Sequence, residues 1–423
     1  MKKYNIFRNI ALGALVVSSL SSCEDYLSLS NPNKTTVETF WTDLKDTKSG
    51  LYATYAALRN DYVLNIREEA WRSDLCWPGY GRPQPQNTAE GWNWYCQNYT
   101  NSTVAISSKW DALYISIWRA NQVIEALERI KDTVSGDEIE TWNIQMGHAR
   151  FIRGLMYFYL HSSFNNGSVV LRTSTAQSFN LPLSPAEDVL KFFREDLEVA
   201  YDLLPVPQDV TSDYEGLATK GTAATIQGIS YLYEKEYSEA EMKFKDVIDN
   251  YGYELEQDWT KMFTNAGEFN SESILEISYS LDYRQDITTW DMNCMYNRLA
   301  TLSTSLGGFL PAAWLVNEFL NDKPDNKDSR NTGRQVSLRA SAMVALVKDE
   351  VTPYYINGNA SEKCPMGGPL ADWGFGKFKK YTNHDIVTKE KPSMSGKNVV
   401  VNRLSDVYLM YAEACQATGD EVN

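Results

Sequence analysis

Apolar residues recur three and four positions apart over several long stretches of the chain. From Ser108 to Lys131 the stripe is Trp110, Leu113, Tyr114, Ile117, Val123, Ile124, Leu127 and Ile130. That spacing places one continuous apolar face along an amphipathic helix. A second helix is predicted from Asp137 to Phe164, with Phe151, Leu155, Tyr157, Phe158 and Leu160 as its apolar members. A third runs from Ser184-Pro185 to Leu204 on Val189, Leu190, Phe193, Leu197, Ala200, Leu203 and Leu204, with proline at an early, tolerated position. Upstream, Thr36 and Glu38 ahead of Phe40-Trp41 mark a helix start, and Leu51, Tyr52, Tyr55, Ala56 and Leu58 continue it. Near the other end, Val399 to Thr418 is expected to hold a helix that buries Leu404, Val407, Tyr408, Met410, Tyr411 and Ala414.

The most informative periodic stretch is Ala218 to Leu255. Gly228, Tyr231, Ala240 and Phe244 stand at the offsets of the small and aromatic anchors of a tetratricopeptide unit. Small residues let two antiparallel helices approach, and aromatic ones fill the groove between them. Glu236, Tyr237 and Ser238 interrupt the pattern where a short turn belongs. An ordinary helical hairpin could carry the same anchors. In either case the stretch is scaffold, and neighbouring helical pairs must stack on it to cover its apolar face.

Two segments lack this period. Trp71 to Tyr99 sets Trp71, Trp77, Tyr80, Trp92, Trp94 and Tyr95 among Gly, Pro and Asn, so an irregular, surface-lying loop is expected. Indole faces stack on sugar rings, and Asp74, Asn93 and Asn98 can hydrogen-bond hydroxyls. The alternative is that several of these aromatics pin the loop to the core. A second polar insertion carries Tyr283, Trp290, Met292, Cys294 and Tyr296. The candidate ligand-binding residues are therefore Trp71, Asp74, Trp77, Trp92, Trp94, Tyr95, Tyr283, Trp290 and Tyr296. Asn265 to Ser280 reads as a helix end or short strand, a short helix runs through Phe319, and Tyr354 to Asn383 is mostly loop or short hairpins.

Composition narrows the possibilities. A net charge of −15 argues against nucleic-acid binding, which needs basic patches. The 12 Trp and 26 Tyr exceed ordinary core needs and suggest exposed stacking surfaces. Six cysteines, at 23, 76, 96, 294, 364 and 415, include no C-x-x-C pair, so metal or dithiol chemistry has no support. Cys76 and Cys96 could pair across a loop or remain free thiols.

Residues 1–22 have the form of a secretory leader. Lys2, Lys3 and Arg8 precede a short apolar run from Ile10 to Val17, too short to cross a bilayer. Leu20-Ser21-Ser22-Cys23 is similar to a bacterial lipobox, in which the cysteine thiol carries the lipid. Cys23 is the expected lipidation site, and Glu24-Asp25 beside it resembles a surface-export signal of Bacteroidetes lipoproteins. An acidic body is held to a membrane by acyl chains, not by anionic headgroups.

Catalytic signatures are few. G-x-S-x-G, H-E-x-x-H, the P-loop and G-x-G-x-x-G do not occur, and no cofactor is expected. A glycoside hydrolase would need only a carboxylate pair. Among 55 Asp and Glu some pair always looks suitable, so that signal is unspecific. His148 and His161, too far apart for a local metal pair, read as packing or capping residues.

The order of these segments resembles the SusD/RagB family of nutrient-binding lipoproteins of Bacteroidetes. The resemblance lies in the lipobox with Asp25-Tyr26-Leu27, in Thr39-Phe40-Trp41, in Trp110 to Ile124 with Arg119-Ala120-Asn121, and in Ala149-Arg150-Phe151 with Arg153. It continues through Gly221 to Tyr253 and ends with Arg403-Leu404-Ser405-Asp406 leading to Met410-Tyr411-Ala412-Glu413-Ala414. The fold it implies is mainly α, a tetratricopeptide-like scaffold of helical pairs with long, irregular, aromatic-rich loops, forming one domain over residues 23–423. Arg403, Asp406 and Glu413 match the family pattern but read as structural, through helix-end salt links and caps. Family members usually continue further, and the turn at Gly419-Asp420 calls for a partner helix, so a truncated C-terminus is expected. The resemblance also implies a function: an oligosaccharide, or a peptide as in RagB-like proteins, is captured at the outer-membrane surface and passed to a SusC-like TonB-dependent transporter. A helical-repeat interaction scaffold without a small ligand is the competing reading.

Overall fold

The computed structural model describes residues 40–78, 89–178, 180–259, 261–279, 310–344, 355–356, 359–360, 378–381 and 396–420. The leader, Cys23, Tyr283, Trp290 and Tyr296 lie outside these residues. The described part is mainly helical. Helix α1 (Leu44–Ala56) starts at Asp43, whose carboxylate accepts from the backbone N–H of Lys45 and Asp46. Two short helices follow, α2 (Asp61–Leu64) and α3 (Ile66–Arg72), joined through Asn65 in the left-handed conformation at φ 55°. Strand β1 (Cys76–Trp77) and helix α4 (Ala89–Tyr95) come next.

The long central helices α5 (Val104–Ile130) and α6 (Glu138–Ser163) pack against each other, and α6 packs on α7 (Ala186–Leu203). Close approach of α6 to α7 is permitted by glycine. A Cβ at Gly154 would lie 3.1 Å from Leu197 Cγ, and one at Gly147 3.1 Å from Leu203 Cβ. The predicted apolar stripes are the buried ones: Leu113, Ile117, Val123, Leu127, Phe151, Leu155, Tyr157, Phe193 and Leu197 are almost wholly covered.

Between these helices lies a buried ionic cluster. Arg153 grips Asp196 with Nε at 2.7 Å and Nη2 at 2.8 Å, and its Nη1 donates to Asn121 Oδ1 at 2.8 Å. Arg150 Nη1 adds a further bond to Asp196 at 2.8 Å. One carboxylate thus ties α7 to α6, and Arg153 carries the tie to α5. His148 is also buried. Its Nδ1 lies 2.8 Å from the Tyr55 hydroxyl, and its ring stacks on Tyr214. Burial pushes its pKa down to about 3, so it is a neutral packing residue. His161, 3.8 Å from Glu234, is likewise lowered by burial.

The hairpin is formed by α8 (Lys220–Tyr233) and α9 (Tyr237–Asn250). Thr219 and Thr222 make a reciprocal capping box that starts α8. Phe244 is fully buried, and a Cβ on Gly228 would sit 2.6 Å from its ring. Ala240 is equally covered, whereas Tyr231 lies half-buried beneath the Arg194 guanidinium at 4.3 Å. The anchors therefore work as the spacing predicts, with Tyr231 at the rim of the groove.

Strand β2 (Ser273–Ile277) resolves the ambiguity over Asn265–Ser280. Strand β3 (Leu310–Pro311), helices α10 (Ala313–Asn321) and α11 (Leu338–Met343), and the short pair β4 (Tyr355–Ile356) with β5 (Asn359–Ala360) lead to β6 (Val399–Arg403). β6 pairs antiparallel with β2, Ser273 opposite Arg403 and Ile277 opposite Val399, across a register shift. The run Val399-Val400-Val401 is β-branched and favours a strand over the helix that follows it. Helix α12 (Leu404–Thr418) starts only after Arg403 and ends on Gly419 at φ 85°. It packs on α9. Leu404, Val407 and Ala414 are buried as expected, but Tyr408 is 41% exposed, because α12 has only one covered face. Arg403 bonds Glu272 at 3.2 Å and lies over the Phe263 ring.

Cys76 is buried, Cys96 exposed, and neither is in a disulfide, so the pairing considered above does not form. Among the described residues no helix is long and apolar enough to cross a membrane.

Candidate aromatic binding platform

The described residues of the segment expected to be irregular are organised by short helices and the strand β1. On α4 the residues Gly91 and Trp94 stand three apart on one face, and Trp92 and Tyr95 stand three apart on the next. Helical geometry therefore sorts the aromatics into an inner and an outer set. The inner face meets α3. A Cβ on Gly91 would lie 2.9 Å from Pro78 Cβ and 3.1 Å from the Trp71 ring, so only glycine lets the two helices close. Trp71, Cys76, Trp94 and Ala105 form a small core, with Trp71 4% and Trp94 3% exposed.

These two tryptophans were candidate ligand residues, and the structure corrects that assignment. Trp71 carries Arg67 over its ring at 5.0 Å, and Trp94 stacks on Tyr99 at 4.3 Å with an interplanar angle of 24°. Each ring has a protein group over a face, and both residues are almost wholly buried. They pin the platform to the body, which was the alternative reading of the aromatic cluster.

The outer face is different. Trp92 and Tyr95 stack at 5.6 Å with 19° between planes. Trp77, held on β1, meets both edge-on, at 6.0 Å and 5.1 Å. Trp77 is 8% exposed and acts as the backing. Trp92 is half-buried and Tyr95 37% exposed, so these two rings reach solvent. Helix α3 carries charged groups of its own, with Arg67 lying over the Trp71 ring. Burial pushes the Glu68 carboxyl up against the opposing effect of Arg67, and burial pulls the Lys109 ammonium down despite Glu69 at 3.8 Å.

A fourth aromatic arrives from far along the chain. β1 pairs with β3, Cys76 opposite Pro311 and Trp77 opposite Leu310, and Ala312 N–H donates to the Leu75 carbonyl at 2.8 Å. This docks the start of α10 against the platform segment. Trp314 Nε1 then donates to the Asp74 backbone carbonyl at 2.7 Å, with the indole 46% exposed. The Asp74 side chain is exposed beside it. Sequence reasoning missed Trp314, because an indole in the run Ala313-Trp314-Leu315-Val316 reads as core. In that run Val316 is the fully buried residue.

The structure thus brings together Trp77, Trp92 and Tyr95, ties Trp314 to the backbone of Asp74 on the segment that carries Trp77, and leaves Trp71 and Trp94 outside the accessible set. Flat apolar faces, one of them carrying a phenol hydroxyl, suit a ligand with C–H faces and hydroxyl edges. Among the described residues, no group of His, Cys, Asp and Glu is arranged to hold a metal ion.

Comparison with known proteins agrees with this architecture. Residues 25–228 match the profile of a SusD-like family described as starch-binding associating with outer membrane, and residues 271–423 match the SusD family. The chain belongs to the SusD/RagB family. SusD-like protein P38 of Formosa agariphila is 29% identical over 307 residues, covering 68% of this chain. The chain spans 56% of that relative's length. A SusD superfamily crystal structure from Bacteroides vulgatus superposes with a TM-score of 0.70 at 24% identity, covering 90% of this chain and 77% of that one. A laminarin-binding SusD-like protein gives 0.64 at 22% identity, covering 88% and 80%.

Proposed function

We propose that this chain is a non-catalytic glycan-capture lipoprotein of the outer-membrane surface that delivers an oligosaccharide to a SusC-like TonB-dependent transporter. The observation that carries the proposal is the solvent-facing Trp92–Tyr95 stack, backed by Trp77. Membership of the SusD/RagB family supports it, as does the fold shared with a laminarin-binding protein. Tyr283, Trp290 and Tyr296 remain candidates for the same ligand.

The test is calorimetric titration of the soluble chain, beginning after Cys23, with plant, microbial and host glycans and with peptides, each mixture then being assayed for cleavage. Saturable heat from a glycan without product is the expected result. Replacing Trp92 and Tyr95 together by alanine should weaken that binding at least tenfold, since each aromatic contact contributes roughly 0.5–1.5 kcal/mol beyond area burial. The helical circular-dichroism signal should be unchanged. Product formation would replace capture by hydrolysis, and heat only from peptides would favour a RagB-like ligand.

The anchor is tested separately. In a bacterial host that lipidates such leaders, Cys23→Ala should move the protein from the membrane fraction to the soluble one. Retention of that variant in membranes would overturn lipid anchoring at Cys23.

A further inference from the structure

A second cleft, remote in sequence from the platform, has the composition of a saccharide subsite. It lies between the 207–219 connection and the segment that runs from Tyr253 to β2, and encloses about 280 Å3. None of its lining residues belongs to the platform. Its apolar wall is Val210, Leu217 and Phe269, and its polar rim carries Ser212, Glu215 and Ser273. The Tyr253 and Thr219 hydroxyls, 3.1 Å apart, close the floor on each other.

Phe269 sets the cleft apart from a packing fault. Phe269 is 50% exposed, although Phe is a residue that folding normally covers. Its backbone sits in the left-handed region at φ 51°, where a bulky residue is rare. The conformation is enforced from below. Phe269 N–H donates to Glu276 Oε1 at 3.1 Å, and Ser273 Oγ donates to the same oxygen at 2.7 Å. Asn398 Nδ2 donates to Oε2 at 3.0 Å, so the 5%-exposed Glu276 is well held. Gly216, at φ 76°, supports the ring: a Cβ there would lie 3.1 Å from Phe269 Cζ. An exposed aromatic held in a strained conformation by a saturated buried carboxylate is the pattern of a ligand clamp.

Charge selects the ligand. Among the described residues lining the cleft there is no Lys or Arg, while Glu215 is exposed at the rim. An anion therefore has no counter-charge there. A neutral ring with a C–H face for Phe269 and hydroxyl donors for Glu215 and Ser212 has a partner for each surface. We propose that this cleft binds a sugar residue as a second glycan subsite, independent of the Trp92–Tyr95 platform. The inference rests on the glycan-capture reading for the class of ligand, but not on the platform for its location.

The experiment titrates four principal forms of the soluble chain, and Glu215→Gln added to the platform variant as a fifth, with laminarihexaose, maltohexaose and cellohexaose. The forms are the unaltered chain, Trp92→Ala/Tyr95→Ala, Phe269→Ala/Glu215→Gln, and all four substitutions combined. A residual saccharide affinity is expected in the platform variant and should fall about tenfold further in the combined variant. Glu215→Gln alone, at an exposed position, should weaken the same residual binding and guards against a folding effect of Phe269→Ala. Residual binding that is absent, or that ignores the Phe269 and Glu215 substitutions, overturns the cleft while leaving platform capture intact. Binding abolished by the cleft variant but unaffected by the platform variant would keep the cleft and overturn the platform. No binding of these saccharides by any form overturns the cleft as a hexaose subsite.

Discussion

Asp196→Ala is expected to lower the unfolding free energy by roughly 3–5 kcal/mol, the cost of removing one partner from a buried ion pair. Asp196 is 1% exposed and accepts three hydrogen bonds from two arginines. Arg153, itself 3% exposed, would lose both bonds to the carboxylate and retain only Asn121. Arg150 is better hydrated, with its side chain 28% exposed, so most of the loss is assigned to Arg153. Asp196→Asn tests the cause. It keeps the shape and one acceptor oxygen but leaves the buried guanidinium without a counter-charge, so it should cost nearly as much as alanine. Urea titration followed by circular dichroism supplies the numbers. A loss below about 1 kcal/mol for both variants would show that water or another acceptor satisfies Arg153 when Asp196 is gone.

Phe244→Ala is expected to cost about 3–5 kcal/mol for the cavity left in the α8–α9 groove. The ring is fully buried and rests against Gly228, a position with no side chain to relax into the space. Collapse of the two helices is opposed by Ala240, already at full burial in the same cluster. Hydrogen exchange should show the loss locally, as faster exchange of the amides from 220 to 250, because α8 and α9 pack mainly on each other and on α12 and α7. Phe244→Leu should recover more than half of the loss. Equal damage from both substitutions would mean that ring shape, not volume, holds the groove.

Much of the scaffold was legible in the order of residues. The stripes on α5, α6 and α7 and the Gly228–Phe244 anchors depend on spacing alone, since helical periodicity converts sequence distance into a face. Strand β6 was not legible next to α12, because Val399-Val400-Val401 runs directly into a helical pattern with no breaker between them. Its β-branched residues suit a strand, but pairing with β2, more than a hundred residues earlier in the chain, fixes where the strand ends and the helix begins. Tyr408 was misplaced for a related reason: periodicity marks an apolar side but not how wide a strip a neighbour covers.

The candidate site divides along the same line. Residue type and composition pointed to Trp77, Trp92 and Tyr95 as stacking groups and placed Asp74 beside them. They could not separate those from Trp71 and Trp94, because the sorting follows from one short helix, Ala89–Tyr95, closing on Gly91. Nor could they supply Trp314, which joins through the β1–β3 pairing and a hydrogen bond spanning 240 positions. By itself the sequence determined the helical scaffold and the aromatic chemistry, because both are carried by local spacing and side-chain type. The tertiary structure decided which indoles face solvent, because burial is set by elements far apart along the chain that meet only on folding.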